Sequence, residues 1–167
     1  MNLRILATGG TFDKRYDPLA GTLGFGRSHL PQILRLARIE GTVAFEEAMQ
    51  IDSLDMTDAH RAQVLAACAA SPEPRIVIVH GTDTMVETAA VLGAAALPRT
   101  IVLTGAMLPF DVAGSDALFN LGFAAGCART LPAGVYVAMN AQVFDWRAVR
   151  KNRELGVFEA TGDPQGA

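Results

Sequence analysis

Two short stretches set hydroxyl groups directly behind apolar runs. Residues 5–14 read ILATGGTFDK and residues 76–85 read IVIVHGTDTM. Each apolar run leads into a glycine–threonine pair, Gly10–Thr11 and Gly81–Thr82, and the second pair continues into Asp83. A glycine beside a hydroxyl lets a ligand approach the backbone closely. Free N–H groups in such a turn can hold an oxyanion. A threonine with an acid or amine in reach can attack a carbonyl carbon. The same residues also suit a plain anion-binding turn, so catalysis and binding both stay open on this pattern alone.

Other hydroxyls have structural duties to hand. Thr84 and Glu87 have the T-x-x-E spacing of a capping box. Ser28, Thr57 and Ser115 each precede a helix-like segment and suit its N-cap. Thr8 can simply end its strand. Thr11, Thr82 and Asp83 are left without such a duty. Rival chemistries lack their signatures. His29, His60 and His80 are scattered, and no Cys/His spacing for a metal occurs. Cys68 and Cys127 sit in alanine-rich segments that suit buried, reduced thiols. Gly21, Gly24 and Gly26 do not form a dinucleotide fingerprint, and no phosphate-binding P-loop occurs. A formal net charge of −3 lacks the basic excess that a nucleic-acid partner requires.

The elements that must position these residues are legible as alternating patterns. LRILAT, RIVIVHG, TIVLTGA and GVYVAMN are short apolar runs without strict alternation, as expected of strands covered on both faces. Helix-period segments separate them: LPQILRLARIE, DAHRAQVLAACAA, MVETAAVLGAAAL and DALFNLGFAAGCART. TVAFEEAMQI reads as a further strand and QVFDW as a shorter one. Strand alternating with helix predicts a three-layer α/β domain, Rossmann-like, with a mainly parallel central sheet. In such sheets ligands bind beyond the carboxyl ends of the strands. Thr8–Thr11, Thr82–Asp83, Thr104–Ala106 and Asn140 should therefore share one rim. Residues 12–27 are long for a βα connection, where about 2–6 residues is usual. They read as a lid or, more plainly, as a hairpin insertion, with Asp13 and Lys14 solvated.

ILATGGTFD and IVIVHGTDTMVETA together resemble the two signatures of the bacterial-type L-asparaginase family. IDSLDMTD, IVLTGAMLP, SDALFNL and VYVAMNAQVFDWRAVRK extend the resemblance over nearly all of residues 3–160. It implies a short form with only the family's amino-terminal domain, residues 1–160, lacking the carboxyl-terminal domain, with a flexible tail at 161–167. It also implies hydrolysis of asparagine to aspartate and ammonia, without metal or organic cofactor, through a threonine acyl-enzyme.

By motif, Thr11 matches the threonine usually assigned as nucleophile. Thr82, Asp83 and Lys151 match the second threonine, its neighbouring acid and their lysine partner. Tyr16 lies in the segment where the family has a tyrosine beside the nucleophile. Gly10, Asp52, Ser53, Leu54, Gly81 and Ala106 would line the substrate, with Ser53 on its carboxylate. Leu54 departs from the glutamine of many relatives and cannot hydrogen-bond a polar group. A lysine acts as a base only after shedding its proton, which burial favours and a neighbouring carboxylate opposes. Asp83 is therefore expected chiefly at the substrate ammonium and only secondarily at Lys151.

The resemblance implies a small amino-acid substrate and a homodimer or homotetramer, and neither a nucleic-acid nor a membrane partner is expected. The amino terminus enters LRILAT without a leader pattern, and a cytoplasmic location is expected. A glutaminase or other small-amide hydrolase is the alternative enzyme. A non-catalytic amino-acid-binding module is the alternative from another class.

Overall fold

The computed structural model describes residues 2–162. In chain order the elements are β1 (Leu3–Gly9), the hairpin strands β2 (Lys14–Asp17) and β3 (Thr22–Phe25), α1 (Leu30–Ala37), β4 (Val43–Ile51), α2 (Asp58–Ala70), β5 (Arg75–Val79), α3 (Met85–Ala94), β6 (Thr100–Thr104), α4 (Ala117–Thr130), β7 (Gly134–Met139), β8 (Gln142–Asp145), and a second hairpin of β9 (Val149–Asn152) and β10 (Val157–Ala160). The central sheet runs β4-β1-β5-β6-β7-β8. Its first five strands are parallel, and β8 closes one edge antiparallel to β7.

The apolar runs form strands buried on both faces because each pleat feeds two cores. Ile5, Ala7, Val77, Val79 and Val102 join Leu30 and Ile33 of α1 and Leu121 and Ala124 of α4 in one cluster. Leu6, Ile76, Ile78, Ile101 and Leu103 join Val64 and Cys68 of α2 and Met85, Ala89 and Leu92 of α3 in the other. Successive side chains of a strand point to opposite faces, so one continuous apolar run serves both layers. Each fully buried Leu, Ile or Val stabilises the fold by about 1.5–3 kcal/mol relative to exposure. The sheet is thus the rigid platform on which the loops stand. Cys68 and Cys127 are free, buried thiols among the described residues.

Counting only the parallel strands, the order is 2-1-3-4-5, the flavodoxin-like doubly wound arrangement. The chain leaves β1 toward β4 on one side and returns through α2 to β5 on the other. That reversal opens a crevice beyond the carboxyl ends of β1 and β5, where both glycine–threonine pairs emerge.

Several local expectations find their outcome here. Ser28 accepts the Leu30 amide and Ser115 the Ala117 amide. Thr57 caps α2 in a reciprocal box whose return arm is His60. The segment after β1 is the β2–β3 hairpin, the plainer of its two readings. Thr161 is tied by its amide to the Ala148 carbonyl. The rest of the expected tail, residues 163–167, lies outside the described residues.

Candidate active site

Three glycine contacts bring the loops together. Gly10 has φ 79° and ψ −178°, a region open essentially only to glycine. A Cβ there would lie 2.3 Å from the Gly81 Cα. A Cβ on Gly81 would in turn lie 2.5 Å from the Ser53 Oγ. A Cβ on Gly105 would meet the His80 carbonyl oxygen at 2.4 Å and the Thr82 Cγ2 at 3.2 Å. Backbone therefore packs on backbone between Gly10 and Gly81 and between Gly105 and His80, and the Ser53 side chain packs on the Gly81 backbone.

The second loop carries the polar centre. The Lys151 ammonium donates to Thr82 Oγ1 and to Asp83 Oδ1, each at 2.7 Å. Lys151 comes from β9, where it shares a face with Val149, a buried member of the α2–α3 core, and stands opposite buried Phe158. Its side chain is 11% exposed, against 35% for Asp83. The indole of Trp146 lies on Gly93 of α3, where a Cβ would be 2.2 Å from the ring. This contact docks the segment entering β9 against the helix that follows Thr82 and Asp83. Arg153 also donates to the Asp83 carbonyl at 3.2 Å.

Thr11 opens a short 3-10 turn, Thr11–Asp13, immediately after the Gly10 contact. Its half-buried hydroxyl has no hydrogen-bond partner among the described residues. Ser53 opens a second such turn, Ser53–Asp55, capped by Asp52, whose carboxylate accepts the Leu54 amide. The Ser53 Oγ is buried without a partner. Lys14 pairs with Asp52 and, with the Leu54 amide, holds that carboxyl below its ordinary pKa. Ala106 is buried, while Leu54 is 64% exposed. Tyr16 sits on β2 at 62% exposure, paired across the hairpin with Leu23. Gly10, Thr11, Ser53, Gly81, Thr82, Asp83, Ala106 and Lys151 thus form one connected rim. Tyr16 and Leu54 face solvent beside it.

Two local readings need correction. Thr84 stands at the N-cap of α3 but makes no cap hydrogen bond. Its hydroxyl donates instead to the Ser53 carbonyl at 2.6 Å. Tertiary contact has outcompeted the local box. Asp13 is buried, not solvated, and accepts the His29 amide at 2.7 Å. Lys14 is engaged by Asp52.

Sequence reasoning missed three supports. Fully buried His80 lies 2.7 Å from the Gly81 carbonyl through Nδ1 and 2.8 Å from the Thr88 hydroxyl through Nε2. The carbonyl can only accept, so Nδ1 carries the proton and Nε2 receives the Thr88 hydroxyl. Burial pushes the pKa of His80 down to about 4. Asn120 donates to the Gly105 carbonyl and to Asp116, and accepts the Asn140 amide. Asp116 accepts the Met107 and Leu108 amides. The third support is the β9–β10 hairpin itself. Asp116 and Asn120, four apart on one predicted helix, were the available signal for that network.

A family model described as "Asparaginase, N-terminal" matches residues 2–163. The chain belongs to the asparaginase family. It is 33% identical over 172 residues to "Probable L-asparaginase periplasmic" of Haemophilus influenzae, covering 93% of this chain and 48% of that protein. It is also 33% identical over 151 residues to a glutamyl-tRNA(Gln) amidotransferase component of Methanococcus vannielii, covering 86% of this chain and 35% of that one. The solved thermostable L-asparaginase from Thermococcus kodakarensis superposes with a TM-score of 0.85 at 31% identity, over 98% of this chain and 52% of that structure. The chain therefore spans about half the length of the asparaginases it matches. No helix among the described residues is long and apolar enough to cross a membrane.

Proposed function

We propose that this asparaginase-family chain is an amidohydrolase that converts L-asparagine to L-aspartate and ammonia through a threonyl ester. The observation that carries the reading is the Lys151 ammonium, 2.7 Å from both Thr82 Oγ1 and Asp83 Oδ1. An amine, a hydroxyl and an acid within hydrogen-bond reach of one another can move protons at an amide.

Thr11 attacks the side-chain amide carbon, losing its proton as the tetrahedral oxyanion forms. Amide N–H groups of the Gly81–Thr82 turn are the donors within reach of that oxyanion. The leaving nitrogen must gain one proton as Thr11 loses one. The Thr82 hydroxyl gives its proton to the leaving nitrogen and takes one from the Lys151 ammonium, and the neutral amine so formed takes up the proton lost by Thr11, which restores the ammonium. Ammonia departs, an ester joins Thr11 to the aspartyl carbon, and water cleaves it. The unpartnered Ser53 hydroxyl takes the substrate carboxylate. Asp83 keeps one carboxylate oxygen clear of Lys151 for the substrate ammonium. The exposure of Tyr16 fits a rim that a second copy closes, so light scattering is expected to report a homodimer or homotetramer.

A second reading has glutamine or another small amide as the substrate. The exposed, apolar Leu54 favours it, because no polar group there measures side-chain length. Ammonia release from asparagine, glutamine and D-asparagine separates the two. Rapid quench and peptide mass spectrometry then locate the acyl group. The expected result is fastest release from asparagine, with the adduct on Thr11. An adduct on Thr82 reverses the two threonine roles. Binding without release from any amide leaves an amino-acid-binding module.

A further inference from the structure

We infer that Arg15, Arg27 and Arg35 form a binding site for a small, multiply charged oxyanion of the phosphate class, at the root of the β2–β3 hairpin. This inference is independent of the amidohydrolase reading. The three arginines line one concavity of about 280 Å³, together with Ser28, Pro31 and Gln32. It lies where the hairpin meets the start of α1.

The cluster has a charge excess that the protein does not answer. Arg15 lies against the ring of His29, with its Nε donating to Nε2 at 2.9 Å and its Nη2 2.9 Å from Nδ1. That ring is buried, and burial holds its pKa below the ordinary value, which favours the neutral imidazole, a group that neither adds to nor answers the charge. Asp111 is the carboxylate nearby, 3.9 Å from the Arg15 Nε and 3.1 Å from His29 Nε2. Among the described residues neither Arg27 nor Arg35 has an ion-pair partner. Three cations in one small concavity, in a chain of net charge −3, repel one another. Asp111 answers only the Arg15 charge, and solvent screening offsets the rest of that repulsion. An anion with two or more charges relieves it directly.

The donor geometry selects the class of anion. Planar guanidinium forks match the paired oxygens of phosphate and carboxylate. The two unpaired forks of Arg27 and Arg35, with the Arg15 donors that His29 leaves over, call for more oxygens and charge than a single carboxylate offers. The Ser28 hydroxyl already accepts the Leu30 amide, which leaves its own proton to donate. The α1 terminus adds only its dipole. Pro31 has no N–H, and the His29, Leu30, Gln32 and Ile33 amides are already bonded. The guanidinium groups therefore make the site.

Occupancy has a readable consequence. Arg15 belongs to β2, whose partner is β3 alone. Anchoring Arg15 ties the root of a two-stranded hairpin that is otherwise marginal in water. Amide exchange across residues 14–25 is expected to slow when the cavity is filled.

Pyrophosphate is the probe, titrated calorimetrically into the full chain at constant ionic strength. Wild type is compared with the double variant Arg27→Gln/Arg35→Gln, whose exposed positions lie outside the candidate active site. The inference requires saturable binding of one pyrophosphate per chain, weakened about tenfold or more in the variant. It also requires slower hairpin exchange in wild type alone, with unchanged circular dichroism in the variant. No saturable heat, equal binding by the variant, or an effect reproduced by sodium chloride at matched ionic strength overturns it. So does binding of an RNA oligonucleotide where pyrophosphate fails, because that identifies an extended polyanion surface instead of a small-ion site.

Discussion

Thr84 illustrates how one side chain can matter without touching the reacting atoms. Its hydroxyl clamps the Ser53 carbonyl, and Ser53 presents the unpartnered hydroxyl assigned to the substrate carboxylate. Thr84→Val keeps the shape and removes the clamp. The freed carbonyl costs about 1–3 kcal/mol, concentrated in the Ser53 turn. KM for asparagine is therefore expected to rise about tenfold with kcat largely kept, in steady-state assays, whereas Thr84→Ser restores both. Lys151→Met has the opposite signature. It removes the amine to which proton transfer is assigned in the proposed reaction, so kcat is expected to fall by about 10²–10⁴ while a binding assay still registers the substrate. Gly10→Ala is a third case, because it forces a side chain into a glycine-only conformation against the Gly81 backbone. A loss of about 1–3 kcal/mol of stability is expected in urea unfolding, together with loss of turnover. The meeting of Gly10, Thr11, Gly81 and Thr82 at one rim was legible because parallel strands deliver their following loops to one edge of the sheet. Thr84 was not, because its T-x-x-E spacing satisfies a local rule that a partner 31 residues away overrides.

At the scale of elements, the parallel strands and helices were legible from apolar periodicity, and the crevice followed from their order. The β9–β10 hairpin was not. Val149–Asn152 carries two charges and one buried apolar residue, so its periodicity is too weak to mark a strand. It exists because tertiary docking supplies what propensity does not. Val149 and Phe158 enter the core, and Trp146 seats on Gly93. This makes α3 the reference against which Lys151 is held. Gly93→Ala pushes a methyl group into the indole, an overpacking that costs about 1–3 kcal/mol. Trp146 is the protein's one tryptophan, so its fluorescence reports the docking directly. The variant is expected to show greater acrylamide quenching and reduced kcat at temperatures where circular dichroism still reports a folded chain. Unchanged quenching with unchanged turnover would show that β9 finds its place without this contact.

For the whole molecule, two buried groups set the pH range of stability, and they act at opposite ends. His80 has its pKa lowered to about 4 by burial. Below its unfolded value of about 6.5, the unfolded chain binds a proton that the folded chain refuses. Stability therefore falls as pH drops from about 6.5 to about 4, by roughly 3 kcal/mol over that window. Asp52 and Asp145, held low by Lys14 and Arg147 respectively, add losses in the same direction at lower pH. Cys68 has its pKa raised to about 12, again by burial. As pH climbs above its unfolded value of about 8.5, the unfolded chain releases a proton that the folded chain keeps, and stability falls on that side too. A plateau between about pH 6.5 and 8.5 is expected in urea-unfolding free energies. The two limbs separate by mutation, because the groups lie in different shells of the fold. Cys68→Val should shrink the alkaline limb, leaving the part contributed by Cys127, which burial also raises, and leave the acid limb intact. His80→Gln can still donate to the Gly81 carbonyl and should flatten the stretch between pH 6.5 and 4 while lowering the plateau. An acid limb that survives His80→Gln unchanged would move its origin to the carboxylates, and with it the claim that the imidazole behind Gly81 stays neutral throughout the working range of the site.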